Sequence, residues 1–192
     1  MAGERFHPSK ADKLIDPKRY QLIDPKTTIQ HLNINVGDIV ADLGAGNGFF
    51  TIPIAQRTKT QVYAVDIEPE MLELLKERAK DANTNNIEFV VSDLEEIKLD
   101  NLSVDKAFVS LVLHEVPSLD KALMEIKRIL ENDGQILLLE WETVESEMGP
   151  PLHERISSVD MTEALKKHGF VVEMALQKEA IYGLIGKLDK GE

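Results

Sequence analysis

Three glycines alternate with small residues in the stretch VADLGAGNGFF, which spans residues 40–50. They are Gly44, Gly46 and Gly48, and Asp42 precedes the first of them by two positions. Glycine lets the backbone turn tightly and approach a ligand closely, because it has no side chain to intervene. The stretch therefore predicts a turn that holds a small ligand against the main chain, next to a carboxylate.

The spacing of these glycines distinguishes between two kinds of ligand. A dinucleotide-binding turn follows the pattern G-x-G-x-x-G, whereas this turn reads G-x-G-x-G and has Phe49 at the third glycine position. The carboxylate of Asp42 would repel a pyrophosphate and attract a cation. A ligand with adenosine at one end and a cationic amino acid at the other fits better, and S-adenosylmethionine has both parts. A nicotinamide-dependent oxidoreductase is the alternative that the spacing disfavours.

Polar residues also follow the second and third apolar runs of the chain. Asp66 stands twenty residues after Gly46, and a carboxylate at that place can accept hydrogen bonds from both hydroxyls of a ribose. Ile67 beside it offers an apolar face for a purine. Asp93 can accept a hydrogen bond from an exocyclic amine, and Leu94 presents its backbone N–H. Together these residues predict a site for a nucleoside.

The fourth and fifth apolar runs end where a second substrate would approach. His114 follows the fourth run, and it is a candidate base or, alternatively, a residue that only hydrogen-bonds the backbone. Its neighbour Glu115 is expected to face solvent or to cap the next helix. Trp141 lies between Glu140 and Glu142 at the end of the fifth run, where it either walls a pocket or closes the edge of the core.

The elements that must position these residues alternate between strand and helix. Strand-like runs are expected at 38–43, 61–66, 87–91, 104–109 and 135–141, and helical patterns at 48–57, 69–82 and 119–131. This alternation predicts a parallel sheet with helices on both faces. Gly134 is expected to cap the third of these helices. After a further helix that ends near Gly169, two strands follow without a helix between them and must pair antiparallel.

The predicted fold class is therefore α/β: a Rossmann-like, doubly wound, mostly parallel seven-stranded sheet with an antiparallel C-terminal strand pair. The length of 192 residues, with 43% hydrophobic and 29% charged residues, fits a single globular domain. The sequence divides into an N-terminal segment, residues 1–30, and a main domain, residues 31–192.

Composition excludes several functions. The net charge of −12 makes nucleic acid a poor partner for the unaided chain and anionic membrane a poor surface. The lack of cysteine excludes disulfides, thiolate catalysis and thiolate metal sites, and no other metal site is predicted. The first residues contain no signal peptide, and no apolar run is long enough to span a bilayer. A cytoplasmic location is predicted.

Five motifs in order carry a family resemblance: VADLGAGNGFF, VYAVDIEPEML, EFVVSDLEEI, VDKAFVSLVLHEV and EIKRILENDGQILLLEW. They resemble the successive motifs of class I S-adenosylmethionine-dependent methyltransferases. Within that class, the chain is similar to the small enzymes of ubiquinone and menaquinone biosynthesis. The resemblance covers residues 30–142 and departs from the family in one turn, where ENDG replaces Lys-Pro-Gly-Gly.

The resemblance implies S-adenosylmethionine as cofactor and a role for each matching residue. Asp42 would hold the methionine amino group, Asp66 the ribose hydroxyls and Asp93 the adenine amine, while Ile67 would pack on adenine. Ser110 would lie under the methyl-bearing sulfur. The full set of implied cofactor-binding residues is Asp42, Gly44, Ala45, Gly46, Asp66, Ile67, Asp93, Leu94, Ser110 and Leu111.

Methyl transfer is an in-line displacement, in which the protein aligns the acceptor and excludes water. If the acceptor must lose a proton, His114 or His153 is the candidate catalytic base; a thiol, amine or carbanion acceptor would need none. Tyr20, His114, Trp141 and His153 are the candidate substrate-binding residues. Residues 148–157 form either a border of the acceptor pocket or a rigid connector, and the N-terminal segment, with Phe6 and His7, either a lid or surface packing.

With so little chain outside the core, a small-molecule acceptor is the favoured substrate. The alternatives are a protein or RNA methyltransferase that works with a partner, and a non-catalytic subunit that only binds S-adenosylmethionine. The sequence leaves the identity of the acceptor, the methylated atom and the oligomeric state open.

Overall fold

The computed structural model describes residues 17–188, with backbone alone for residues 17–19. Seven strands form one sheet in the order β3-β2-β1-β4-β5-β7-β6. Strands β1 to β5 pair in parallel, whereas β7 pairs antiparallel with both β5 and β6. The predicted α/β class and the antiparallel C-terminal pair are confirmed. The strands are β1 Val40–Leu43, β2 Val62–Asp66, β3 Ile87–Val91, β4 Val104–Ser110, β5 Leu130–Trp141, β6 Phe170–Gln177 and β7 Ile181–Leu188.

The four longer helices lie close to the predicted helical segments. They are α1 Pro17–Leu22, α2 Pro25–Thr28, α3 Thr51–Thr58, α4 Pro69–Asp81, α5 Leu119–Ile129 and α6 Ser158–Lys167, with short 3-10 helices at Ile29–Leu32, Leu113–Glu115 and Leu152–Glu154. Local chemistry sets several ends: Pro69 occupies the first turn of α4, and the side chains of Ser118 and Ser157 cap α5 and α6. No helix among residues 17–188 has the length and apolarity that crossing a bilayer requires.

Helices cover both faces of the sheet. On one face α5 and α6 contribute Leu123 and Met161 to an apolar cluster with the strands. On the other face Leu32 and Ile54 pack on the sheet from the Ile29–Leu32 turn and from α3, and Leu75 of α4 packs beside them. Burial on both faces explains why the central strands read as continuous apolar runs in the sequence.

Two predicted boundaries are wrong, for reasons of backbone geometry. Helix α3 begins at Thr51 rather than residue 48, because Gly48 has a φ of +87° and belongs to the preceding turn. Helix α5 ends at Ile129, and Gly134 lies inside β5 instead of capping the helix. The reason is that Leu130 already pairs with β4, and the register then shifts before Gln135, so the intervening residues bulge out of the ladder.

The strand order places the ends of β1 and β4 side by side at the centre of the sheet. The chain leaves β1 toward β2 and enters β4 only after crossing from β3 on the opposite side of β1. Loops that follow neighbouring strands in opposite directions open a crevice at their carboxyl ends, which is where open α/β sheets bind ligands.

Candidate cofactor and acceptor site

A cavity of about 620 Å³ occupies this crevice. Its first part, here called the cofactor half, is formed by the segments that follow β1, β2 and β3; its second part, the acceptor half, is formed by the segments that follow β4 and β5. The lining residues of the cofactor half include Asp42, Gly44, Ala45, Gly46, Asp66, Ile67, Asp93 and Leu94; those of the acceptor half include His114, Glu115, Trp141, Met148, Pro150 and Glu154. Ser110 and Leu111 lie where the two halves meet.

Backbone hydrogen bonds hold the glycine turn against the end of β2. The N–H groups of Gly44 and Ala45 both donate to the carbonyl of Val65, at 2.8 and 3.0 Å. Gly44 has a φ of +77°, and a Cβ placed there would lie 2.8 Å from Cγ1 of Val112. Only glycine combines a positive φ with the lack of a Cβ without strain, so the shape of the turn requires glycine at position 44.

Asp66 ties the glycine turn to the start of α4. Its Oδ2 accepts the N–H of Gly46 at 2.7 Å, and its Oδ1 accepts the N–H of Glu68 at 2.9 Å. Burial raises the pKa of Asp66 above its ordinary value of 3.8, although these two N–H donors act in the opposite direction. Each carboxylate oxygen retains a second lone pair, so Asp66 can accept further hydrogen bonds from a bound ligand.

The other polar residues of this half are also held by local contacts. Asp42 is 2% exposed and accepts a hydrogen bond from Thr51 Oγ1 at 2.5 Å. Asp93 accepts the N–H of Glu95 at 2.9 Å. The hydroxyl of Ser110 is buried without a hydrogen-bond partner among residues 17–188. Next to it Leu111 has a φ of +56°, a left-handed conformation that is uncommon for a residue with a side chain.

These features fit the cofactor that the sequence implies. The carboxylates of Asp42 and Asp66 suit an amino group and two ribose hydroxyls. A ligand can supply the hydrogen-bond partner that the buried hydroxyl of Ser110 lacks among residues 17–188, and the space beside Gly44 has no room for a side chain. Unpartnered buried polar atoms are uncommon in folded proteins. The cofactor half therefore has the shape and donor set for an adenosyl amino acid.

A buried pair of side chains dominates the acceptor half. His114 Nδ1 lies 2.9 Å from Oε1 of Glu140, and the backbone N–H of His114 donates to Oε2 of the same carboxylate at 3.3 Å. Oε1 of Glu140 also accepts the N–H of Trp141 at 2.8 Å. The Glu140 side chain is fully buried. The ring of His114 is therefore bonded to a carboxylate rather than to the backbone.

Trp141 and the following loop close the acceptor half. The Trp141 side chain lines the cavity and is 7% exposed, and Gly149 lies so close that a Cβ there would come within 2.8 Å of the ring. The guanidinium of Arg155 lies 5.4 Å from the ring centroid. It also donates hydrogen bonds to the carbonyls of Glu142, Val144, Met148 and Pro150, at 2.6–3.2 Å. One buried cation thus gives this loop its shape.

Residues 148–157 have features of both predicted roles, a border of the cavity and a rigid connector. The loop lines the cavity through Met148, Gly149, Pro150 and Pro151, and Arg155 makes it a stiffened connector to α6. In this half the prediction for Glu115 is wrong: its side chain is only 17% exposed and it lines the cavity, because the Leu113–Glu115 turn points it inward next to His114.

Two predicted substrate-binding residues are not brought to the cavity. His153 has a side chain that is 76% exposed and is not part of the cavity wall, whereas its neighbour Glu154 is. Tyr20 is 43% exposed and packs edge-on against Phe49, with ring centroids 4.7 Å apart. Tyr20 therefore supports a wall residue rather than forming the wall. Of the N-terminal lid residues, Phe6 and His7 lie outside the described residues.

The sequence placed three further residues near the acceptor half, but it gave no role to them: Glu140, Glu154 and Arg155. Glu140 could have been found, because an acidic residue at the end of the apolar run LLLEW needs a partner if the strand is buried. The other two lack such a signal, since Glu154 and Arg155 stand in a polar stretch typical of solvent-exposed loops.

Comparison with known proteins agrees with this site. Residues 41–138 match the model of the family described as "Methyltransferase domain". The ubiquinone/menaquinone biosynthesis C-methyltransferase UbiE of Citrifermentans bemidjiense is 34% identical over 118 residues, which are 60% of this chain and 50% of the relative. Its counterpart in Rhizobium etli is 32% identical over 133 residues, 68% of this chain and 50% of the relative. The chain thus spans about half the length of the curated relatives it matches.

Solved structures share the fold over nearly the whole chain. A crystal structure of a SAM-dependent methyltransferase from Aquifex aeolicus superposes with a TM-score of 0.90 at 28% identity, covering 96% of this chain and 100% of the other. A second methyltransferase structure, from Methanococcus maripaludis, has a TM-score of 0.76 at 20% identity and shows the fold alone. With the family match over just over half of its residues, this chain belongs to the S-adenosylmethionine-dependent methyltransferase domain family, and its cofactor is S-adenosylmethionine.

Proposed function

We propose that this chain transfers the methyl group of S-adenosylmethionine to a small-molecule acceptor by in-line displacement. The observation that carries the proposal is the continuity of the cavity, which runs from the carboxylates of the cofactor half to His114 and Trp141 in the acceptor half. A cofactor held at the first end leaves the second end for another molecule. The junction, at Ser110 and Leu111, is where transfer would take place.

The bound cofactor supplies a methyl carbon that is already activated by a sulfonium. The residues of this chain hold and orient it: Asp66 accepts the ribose hydroxyls, Asp93 and the N–H of Leu94 contact the adenine, and Ile67 packs on its face. Asp42 holds the methionine amino group through charge attraction in a buried site. Because the glycine turn and Asp66 are already hydrogen-bonded to each other, little reorganisation is needed on binding.

The acceptor half supports a compact, partly aromatic acceptor. Trp141, Met148, Pro150 and Pro151 provide apolar walls, and His114 and Glu115 provide polar groups. The names of the curated relatives specify carbon methylation in quinone biosynthesis. For this reason hydroquinones and other phenols head the acceptors to be screened, followed by amines and thiols. The loop held by Arg155 borders this end of the cavity.

The cofactor site is tested by calorimetric titration with S-adenosylmethionine, S-adenosylhomocysteine and NAD. We expect both adenosyl ligands to bind and NAD not to bind. Asp66→Asn keeps the shape of the side chain but loses its charge and one acceptor, so the affinity should fall about 10- to 100-fold. Asp81→Asn, an exposed aspartate at the end of α4, is the matched control and should bind normally. Binding of NAD alone, or of no ligand, would overturn the proposal.

Turnover separates the proposed enzyme from the alternatives. Methyl transfer from labelled S-adenosylmethionine to a small molecule by the purified chain supports the proposal. Transfer only to protein or RNA in the presence of a partner, or binding without transfer, would favour the rival functions. A lid formed by residues 1–30 and a cytoplasmic location stay predictions; Leu22 and Ile23, at the described end of that segment, line the cavity.

A further inference from the structure

Three donors converge on the carboxylate of Glu140, all from residues at the acceptor half. They are the N–H of Trp141, the N–H of His114 and the His114 ring at Nδ1. A carboxylate can only accept hydrogen bonds, so the proton of the neutral imidazole lies on Nδ1. The other ring nitrogen, Nε2, then has a free lone pair. Glu140 thereby fixes both the orientation and the tautomer of His114.

The other ring nitrogen of His114, Nε2, lies near a second carboxylate. His114 Nε2 lies 3.7 Å from Oε1 of Glu115, and both residues line the cavity. This distance is too long for a hydrogen bond but short enough for an ion pair when the ring is protonated. Glu154 adds a third negative charge to the surroundings of the ring. A proton taken up on Nε2 would therefore be stabilised from both sides.

The titration of His114 agrees with this arrangement. Burial lowers the pKa of the ring, but the hydrogen bond and charge of Glu140, with the charges of Glu115 and Glu154, outweigh it and raise the pKa above 6.5. A buried histidine without such partners would instead become less basic. The carboxylates facing the ring come from three elements: β5, the Leu113–Glu115 turn and the Leu152–Glu154 turn.

We infer that Glu140 is a positioning residue that sets His114 as the base for an acceptor that gives up a proton on methylation. The inference rests on the proposed function and names the class of its acceptor. The acceptor's O–H, N–H or acidic C–H bond breaks, its electron pair forms the bond to the methyl carbon, and the carbon–sulfur pair returns to the cofactor's sulfur. The proton passes to Nε2 of His114 and then to solvent.

A base at His114 favours acceptors that must lose a proton when they are methylated. A phenol, an enol-forming carbon acid or an ammonium group needs a base, whereas a thiolate or tertiary amine is nucleophilic without one. The carboxylates around the ring also suit this role, because the imidazolium that forms is balanced by Glu140 and Glu115 and does not stand alone in a buried site.

The first test uses nitrogen NMR of histidine-labelled protein with bound S-adenosylhomocysteine, and it does not depend on knowing the acceptor. His114→Gln assigns the signal among the five histidines. We expect His114 to carry its proton on Nδ1 at high pH. In Glu140→Gln, whose amide oxygen can still accept the ring N–H, the pKa of His114 should fall because the charge is lost. A proton on Nε2, or an unchanged pKa, would overturn the inference.

Glu142→Gln is the matched control. It removes one carboxylate charge from the end of the same strand, but that carboxylate accepts the N–H groups of Thr143 and Ser158 and does not touch His114. The titration of His114 should then stay close to that of the unchanged protein. A shift in Glu142→Gln as large as that in Glu140→Gln would show a general charge effect and overturn the inference.

The second test uses the rate profile against pH with an acceptor from each class. With a phenol, kcat/KM should fall on the acid side as His114 becomes protonated, and Glu140→Gln should lower the plateau and move that acid limb to lower pH. His114→Gln should lose about 10²-fold or more. Equal rates in all three proteins would overturn the inference while methyl transfer itself still stands. Failure of cofactor binding would instead remove the proposed function.

Discussion

The two halves of the cavity are built from different kinds of contact. In the cofactor half, backbone groups do most of the holding: Gly44, Ala45 and Gly46 bond to the end of β2. In the acceptor half, side chains join distant parts of the chain: His114 reaches Glu140 across 26 residues, and Arg155 reaches the carbonyl of Glu142 across 13.

This difference predicts which residues of the cavity tolerate substitution. A turn made of backbone tolerates few substitutions, because its shape depends on glycine and on positive φ angles. A wall made of side chains on a loop can be rebuilt by changing those side chains, which is where enzymes of one fold differ in substrate. We therefore expect substitutions in the cofactor half to affect folding and cofactor binding, and those in the acceptor half to affect acceptor use.

The largest expected effect lies in the glycine turn. In Gly48→Ala the new Cβ would lie 2.0 Å from Cδ1 of Leu75, at a φ of +87°, so the buried Leu75 side chain must leave its position. We expect a loss of roughly 2–4 kcal/mol in the free energy of unfolding, measured by chemical denaturation. Gly37→Ala is the control, because it has a φ of +109° with no atom within 4 Å and should lose only about 1 kcal/mol. Equal losses would mean that packing on Leu75 is unimportant.

The next effect tests whether one cation shapes the acceptor loop. Arg155→Ala leaves four loop carbonyls without their donor, and we expect it to destabilise the protein by roughly 2–3 kcal/mol and to expose the loop to proteases. Arg155→Lys should rescue little, since an ammonium lacks the planar fork. The affinity for S-adenosylhomocysteine should stay unchanged. A parallel loss of cofactor affinity would contradict the independence of the two halves.

A smaller effect follows from the pKa of His114. Because the folded-state pKa is raised above 6.5, the protonated ring stabilises the folded protein at low pH, and this contribution is lost as the pH rises through the folded-state pKa. The stability advantage of the unchanged protein over His114→Gln should therefore shrink as the pH rises from the ordinary histidine pKa through the raised folded-state pKa. Denaturation curves across this range measure it. A stability advantage that grows with pH would show that burial lowers the pKa of His114 more than the carboxylates raise it.

The smallest effect is expected at the junction of the halves. Ser110→Ala removes a buried hydroxyl that has no partner among residues 17–188, so the stability without cofactor should change by less than about 0.5 kcal/mol. The affinity for S-adenosylmethionine should nevertheless fall by roughly 0.5–1.5 kcal/mol if the hydroxyl bonds the cofactor. Calorimetry decides this, and an unchanged affinity would remove Ser110 from the cofactor site.

The comparison also explains which parts of the site were predictable. Asp42 and Asp66 lie near the ends of β1 and β2, and Asp93 lies just after β3. Each strand can be recognised from its own residues, and parallel strands bring their ends together. Gly134 misled the prediction because a glycine before a strand resembles a helix cap, whereas early pairing of Leu130 with β4 decided its place. His153 misled it because nothing local shows that its side chain points away from the cavity, where its neighbour Glu154 lies.

The sequence by itself determined the order of strands and helices, the glycine turn and the carboxylates of the cofactor half. These depend on hydrophobic periodicity and backbone conformation within a few residues, which local sequence encodes. Only the tertiary structure decided that Glu140 bonds His114 and that Arg155 holds the loop around Trp141. Such contacts arise when distant segments pack together, and their partners are set by the register and packing of the whole sheet rather than by any one segment.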